Sequence, residues 1–438
     1  MLITQLYFAF LSLAIISFYI IAAIYFPQLY IFGTYEDMYG EWVQFFFFLL
    51  TFIFALLNAL NPTTKQYRWF FGLLAMAALY TCMEEISWGQ RLIGFDTPDF
   101  FEEHSYQNEA NLHNLLTGPV ESWTKTALTY LIALGMFGYG VIFPIMLARN
   151  WHLAQWFDKW GCFAPPLGLM PAFVAAGIFE LEFFSFNEAE VAELLVAMAM
   201  SFTAIYFWLT THSRWQFKAL SIFIAITLFV FITAFTTTEL LLRNPAQKKA
   251  VTHRLANGYK KFADRYARYD HHQAVIDVLT LYGDLKPNNT VILRRIRKQY
   301  LLLDEYAKAD EILDKAIAIA LARYQENPES LSTLISLAKS YHQLQRPDKV
   351  YAYANQAYEL ALQIVENKAL EKKERAYGHY WLAKACEQLN KQAEALKHFR
   401  RAYKLVPNYR RYQRAYYSKR KLMEKYYDED WSTGLYTD

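Results

Sequence analysis

The sequence predicts an all-α protein in two parts. The first is a polytopic bundle of about seven transmembrane helices over residues 1–242, with a long loop at 88–125. The second is a helical solenoid over 243–438. Three observations predict this. Apolar runs of about twenty residues recur through the first part, and a helix of that length crosses hydrocarbon with its backbone bonded internally. The charge divides at the same boundary: residues 1–242 hold 8 Lys and Arg against 18 Asp and Glu, and 243–438 hold 36 against 23. Such a split marks two different surroundings. Beyond residue 250, Ala, Leu, Lys, Glu, Tyr and Gln dominate, and small residues return at fixed offsets, as stacked helical units require.

The expected spans are 5–27, 42–61, 68–87, 126–148, 166–186, 189–211 and 217–242. The first has no basic leader and no small-residue cleavage site, so it is read as a retained anchor. "WHLAQWFDKW", 151–160, reads as a helix lying in the interface, where Trp is favoured. The three cysteines, Cys82, Cys162 and Cys386, form no CxxC and no disulfide framework.

Short loops set the orientation. Lys65 with Arg68, Arg149 with Lys159, and Arg214 with Lys218 fall on one side, and "TYEDMYGE", "DTPDFFEEHSYQNEANLHN" and "NEAE" fall on the other. The positive-inside rule puts the N-terminus in the cytoplasm of a cell with this protein in its inner membrane. After an odd number of spans, 243–438 is extracytoplasmic, and nucleic acid is not an expected partner.

In the second part, "YGHYWLAKACEQLNKQAEALKHFRRAYKLVPN" places Leu382 and Ala383, then Ala395, Phe399, Ala402 and Pro407. A second copy has Leu337, Ala338, Tyr341, Ala354 and Ala357. A third has Ile296, Tyr300, Ala309, Leu313 and Ala316, and a weaker first copy has Phe262, Ala274 and Pro287. Helices approach to 8–10 Å only where side chains are short. The pattern resembles the tetratricopeptide repeat. The resemblance implies paired antiparallel helices stacked into a solenoid, whose concave surface binds a protein or peptide and carries no chemistry of its own. Spacing beyond the family's usual 34 residues implies longer helices in the middle copies. The last segment interleaves Tyr with Arg400, Arg401, Arg410, Arg411, Arg414, Lys419, Arg420 and Lys421. It is either a solvated capping helix or a face for an anionic lipid, an acidic polymer or an acidic partner. His271, His272, His342, His379 and His398 read as surface or packing residues.

Carboxylates gather at the acidic ends of the spans: Glu84 and Glu85, Glu180 and Glu182, Glu188, Glu190 and Glu193, and Glu239. Three roles fit them. They are solvated among headgroups; or they form a polar network with Trp88, Gln90, Asn111 and Asn114 that holds the long loop; or they make a chemical site. For the last, Glu84, Glu85, Glu180 and Glu182 are the catalytic candidates. Glu84, Glu85 and Glu180 with His104 and His113 have the ligand types of a divalent metal centre. No HExxH is present. The lysine that retinal proteins carry in the last span is absent, and so are the late-span histidines of ceramidase-like hydrolases.

Two functions follow. One is an interaction protein whose repeat array recruits or organises partners in a membrane or envelope assembly, docked on the acidic outer face of its own bundle. The other is a membrane-embedded, metal-dependent enzyme or transporter acting on lipid-linked material.

Overall fold

A computed structural model of the chain describes residues 2–35, 38–90, 123–212, 215 and 218–426. Its contacts form two compact units, Met1–Phe262 and Ala263–Asp438. Every regular element among the described residues is helical.

The first unit holds α1 (Leu2–Tyr25), α2 (Pro27–Thr34), α3 (Tyr39–Leu60) and α4 (Arg68–Glu85). Then come α5 (Trp123–Phe137), α6 (Phe143–Ala148), α7 (His152–Lys159), α8 (Met170–Phe179), α9 (Glu188–Thr211) and α10 (Ala219–Leu241). Among the described residues, five stretches are long and apolar enough to cross a membrane: Leu2–Tyr25, Pro27–Leu60, Thr126–Ala148, Glu188–Thr211 and Ala219–Leu241. Their outward faces carry exposed Leu6, Phe10, Leu131, Leu228 and Ile232. Apolar side chains so placed match an acyl-chain solvent.

Two of the seven expected spans differ. Segment 68–87 yields α4, an 18-residue helix, but Arg68, Glu84 and Glu85 place three charges at its ends. Segment 166–186 yields the ten-residue α8, a rise of about 15 Å and so half a hydrocarbon layer. Helix α7 keeps the amphipathic form expected of 151–160, with Trp151, Leu153, Trp156 and Trp160 exposed.

Helix α9 is the centre of this unit. Of its apolar window 72% is buried, against 28% for α1 and for α10. It is apolar on all sides because protein, not lipid, surrounds it. Phe202 of α9 sits 5.0 Å from Phe223 of α10, 5.1 Å from Phe8 of α1 and 5.9 Å from Phe47 of α3. Two amides of α3 also bond its backbone: Asn58 Nδ2 donates to the Ala204 carbonyl and Gln44 Nε2 to that of Glu190, each at 2.8 Å. Between α5 and α6 the helix widens into a π turn at Gly138–Ile142, just before Pro144. Proline lacks the N–H of that turn and clashes with the carbonyl four residues back, that of Gly140. A Cβ on Gly140 would strike the Phe173 ring of α8, so the glycine allows the two helices to touch.

The helix that follows, α11 (Pro245–Arg268), packs onto this unit near its end. Phe262 is fully buried, 5.0 Å from Phe186 and 5.7 Å from Tyr30. Phe262 therefore belongs to the first unit's core and not to the first repeat, where the residue pattern placed it.

The second unit is a series of antiparallel pairs: α12 (His272–Leu285) after α11, α13 (Thr290–Leu302) with α14 (Tyr306–Glu326), α15 (Leu331–Gln343) with α16 (Pro347–Glu366), and α17 (Lys372–Gln388) with α18 (Gln392–Leu405). Helix α19 (Arg410–Tyr426) follows and packs on α18. Ala309, Ala316, Ala338, Ala354, Ala357, Ala383, Ala395 and Ala402 are all fully buried at the crossings. Helices α14 and α16 run 21 and 20 residues against 14 for α18, which accounts for the long spacing of the middle copies. The turn inside each pair is the same. One residue adopts a left-handed backbone: Asp270, Asp304, Gln345 and Asn390, with φ of 56°, 58°, 53° and 60°. Asp and Asn tolerate that region, while a longer side chain pays for it. Gln345→Gly is expected to stabilise the protein by about 1 kcal/mol, read as a higher unfolding midpoint of the full chain in detergent.

Candidate functional site

Two charged regions bear on function, one in each unit. In the first, Glu84 is buried and Glu85 half-buried. Successive residues on a helix point about 100° apart, and of this pair Glu84 is the one that faces inward. The chain turns sharply after α4, with Ser87 and Trp88 at φ 46° and 53°. This folds the Trp88 indole back, and its Nε1 donates to Glu84 Oε1 at 2.7 Å. Gln90 is half-buried beside it. Asn111, Asn114, His104 and His113 lie outside the described residues.

Glu188 is buried and accepts the Phe184 N–H at 3.0 Å. It closes the turn that starts α9 and is not a solvated headgroup residue. Glu239 accepts from Tyr39 Oη at 2.6 Å. Glu180 and Glu41 both lie within electrostatic range of Glu193. Glu41 is a member of this group that the sequence reading left in a loop. It sits in the first turn of α3, buried, and the acidic residue one step before an apolar run was the available signal. Glu182 is exposed. Among the described residues, no group of three or more His, Cys, Asp or Glu is placed to hold a metal ion. The cavity among α1, α2, α3, α9 and α10, about 650 Å³, is lined by Ile15, Phe18, Phe32, Val43 and Phe231, and the four candidate glutamates are not in its lining.

A cation enters this acidic end. Lys261 of α11 donates to Asn187 Oδ1 at 3.0 Å and lies 4.9 Å from the centre of the Phe186 ring. Burial lowers its pKa, while Glu182 and Glu190 act to raise it.

In the repeat unit, the basic residues of the last segment divide by contact. Lys419 is buried, bonded to Gln392 and 3.5 Å from Glu387. Arg411 stacks 4.5 Å over Tyr380, and Arg420 pairs with Glu424 at 2.7 Å. Lys419 and Arg411 hold α19 against α17 and α18, and the Arg420–Glu424 pair lies within α19 itself. Arg410, Arg414 and Lys421 are exposed, Arg400 is half-buried, and Arg401 lines a cavity beside α17.

The stronger charge array is one that the sequence reading missed. The first helices of successive pairs, α13, α15 and α17, lie side by side. Each brings a cation to this face: Arg294, Lys339 and Lys384, with Arg294 and Lys384 both acting on Lys339. Arg294 Nη1 donates to Ser336 Oγ at 3.0 Å. Lys384 pairs with Glu387 at 2.8 Å and lies 4.9 Å over the Phe399 ring. Burial, with Lys384 and Arg294 adding to it and Glu387 opposing, holds the Lys339 ammonium down to about 8. No fixed period marked it: the turns at Asp304, Gln345 and Asn390 are 41 and then 45 residues apart, and Arg294 stands one helical turn from Lys298, which holds the position matching Lys339.

Residues 376–409 match the family model of the tetratricopeptide repeat. This stretch covers α17, α18 and the proline that follows them. The C-terminal region is of the tetratricopeptide-repeat type. A solved structure titled "Crystal structure of MamA protein" is similar at 15% identity over 40% of this chain and 86% of its own, with a TM-score of 0.18. No curated protein matches the chain.

Two outcomes test this geometry. Trp88→Phe deletes the donor to a buried carboxylate and is expected to cost about 2 kcal/mol, read as a lower unfolding midpoint of the full chain in detergent. The Lys339 pKa is depressed on folding, so between about 8 and the ordinary value of 10.5 the unfolded chain binds more protons. Stability therefore rises with pH through that window. Lys339→Met flattens the rise and stabilises the protein at pH 7, as a series of unfolding midpoints against pH would show.

Proposed function

We propose that this is a membrane-anchored docking protein. Its repeat region binds an acidic segment of a protein partner along the Arg294–Lys339–Lys384 row. The observation that carries the reading is the row itself: Arg294 and Lys384 both press on Lys339, on helices of a repeat type built to present a shared face. Like charges at that range destabilise the free protein. A carboxylate from a partner relieves the repulsion, so the row is worth more bound than free. Steering by such a patch also speeds association and makes it salt-sensitive.

The apolar helices hold the protein in the cytoplasmic membrane, with the N-terminus cytoplasmic and the repeats extracytoplasmic, as part of an envelope assembly. The acidic span ends serve as counter-surface for the basic chain that emerges after α10. Lys261 beside Glu182 and Glu190 supports that pairing. A label on the C-terminus that reacts only from the cytoplasm would reverse the topology and remove the counter-surface.

The double variant Lys339→Glu, Lys384→Glu of the full chain is expected to lose its stoichiometric protein partner in mild detergent. Arg414→Glu, Lys421→Glu, with the same charge change on exposed positions of α19, is expected to keep it. Equal loss in both pairs would show that net charge and not the row holds the partner.

A further inference from the structure

On the repeat unit, the end of α16, the start of α17 and the end of α18 enclose an open cavity of about 790 Å³. Lys368, Arg375, His379, Arg401 and Lys404 line it, with Glu366 the carboxylate among them. None of these residues belongs to the Arg294–Lys339–Lys384 row. We propose that this cavity is a binding site for a small polyanion of the phosphate class, either a free phosphorylated compound or the headgroup of a phospholipid.

Four observations point there. The first is charge: four permanent cations against one carboxylate. Lys368, Arg375, Arg401 and Lys404 have no ion-pair partner among the described residues. Elsewhere in this unit Lys308, Arg346, Lys384 and Arg420 do have one. Cations left together and unpaired repel, and only an anion offsets the cost. The second is an orphan donor. Arg375 Nε is buried without a hydrogen-bond partner, a state that costs a charged group more than a neutral one. A guanidinium offers a planar fork that fits phosphate oxygens two at a time.

The third is a polar relay behind the cavity. His379 Nδ1 and His398 Nδ1 are 3.0 Å apart, with the rings stacked 5.2 Å apart. One nitrogen must donate and the other accept, so in this arrangement at least one ring is neutral. His398 Nε2 is 3.9 Å from Glu394 Oε1, and that oxygen accepts from Tyr358 Oη at 2.8 Å. The stacked pair His379–His398, with Glu394 nearby, thus stands at the cavity wall and can take up a proton there. The fourth is size. The volume lies within the range of small-ligand pockets, too short for an extended peptide of many residues.

The relay also links binding to pH. Burial, His398, Arg401 and Arg375 hold the His379 pKa down to about 4. Burial and Lys397 lower that of His398 while Glu394 raises it. Glu366, Lys368 and Lys404 are the remaining charged groups of the lining. A bound dianion reverses the sign of the field at His379 and draws a proton onto the pair. Binding therefore tightens as pH falls.

Titration calorimetry on the full chain in detergent, with pyrophosphate as probe, tests the site. The wild type is expected to bind, and to bind about tenfold more tightly at pH 5.5 than at pH 7.5. Arg375→Gln with Arg401→Gln is expected to weaken binding tenfold or more, and Arg375→Lys, which keeps the charge and loses the fork, to weaken it several-fold. His379→Asn keeps binding and loses the pH slope. Arg414→Gln with Lys421→Gln, neutralising two exposed cations of α19, leaves affinity unchanged. Competition by phosphatidic acid vesicles but not phosphatidylcholine vesicles assigns the site to a headgroup. Failure of phosphatidic acid to compete assigns it to a soluble phosphate. No heat at millimolar pyrophosphate, equal loss in the α19 control, or citrate binding as tightly as pyrophosphate overturns the proposal. Partner capture along the row is read separately, so either result stands without the other.

Discussion

Close approach of helices at small side chains is the constraint on which both units rest. In the first unit Ala197, Ala199 and Ala204 of α9 and Ala55 and Ala75 of its surroundings are buried to within a few per cent. In the repeat unit a fully buried alanine marks nearly every crossing. The reasons differ. In hydrocarbon there is little hydrophobic drive between helices, so contact area and interhelical hydrogen bonds must do the work. The α3 amides that bond the α9 backbone are examples. In water each pair has an apolar face it cannot bury alone, and short residues let the next pair cover it.

That constraint also decides where charge can go. Once small residues have closed the crossings, ionisable side chains are left at helix ends and along shared faces. The acidic group of the membrane unit is therefore a set of helix ends: Glu41 in the first turn of α3, Glu84 in the last turn of α4, Glu188 in the first turn of α9. Several are spent on structure. Glu84 holds Trp88, Glu188 ties a turn, and Glu239 anchors Tyr39. The cations of the repeat unit follow the same logic with a different result. On the shared face of α13, α15 and α17 they stack as a row, and at the ends of α16 and α18 they ring a cavity.

The stacked design makes function modular. A binding surface assembled from one residue per repeat has its strength set by how many repeats take part, and the matching turns at Asp270, Asp304, Gln345 and Asn390 keep the register that aligns them. A change of helix length, as in α14 and α16, lengthens the period without breaking the turn. The pairs therefore repeat at 41 and then 45 residues, from Asp304 to Gln345 to Asn390, instead of 34.

The sequence by itself determined the all-α class, the apolar helices and the repeat. These properties depend on near neighbours in the chain: run length, small residues at fixed offsets, and a proline after Leu405 and Val406. It raised the burial of one of Glu84 and Glu85 as an expectation, beside a solvated role at the span end, and Glu84 is the buried one. Tertiary structure alone decided the rest. Helix α8 is half a span because the chain turns at Glu180–Glu182, where Glu182 takes a left-handed backbone, which apolar composition does not reveal. Phe262 joins the first unit because Tyr30 and Phe186, far away in sequence, make its pocket. Lys419 is a buried tie and not a free cation, since Glu387 and Gln392 meet it from other helices. His379 and His398, nineteen residues apart, become one relay only when α17 folds back on α18. Charge and burial depend on what arrives from elsewhere in the chain, and a local pattern carries no record of that.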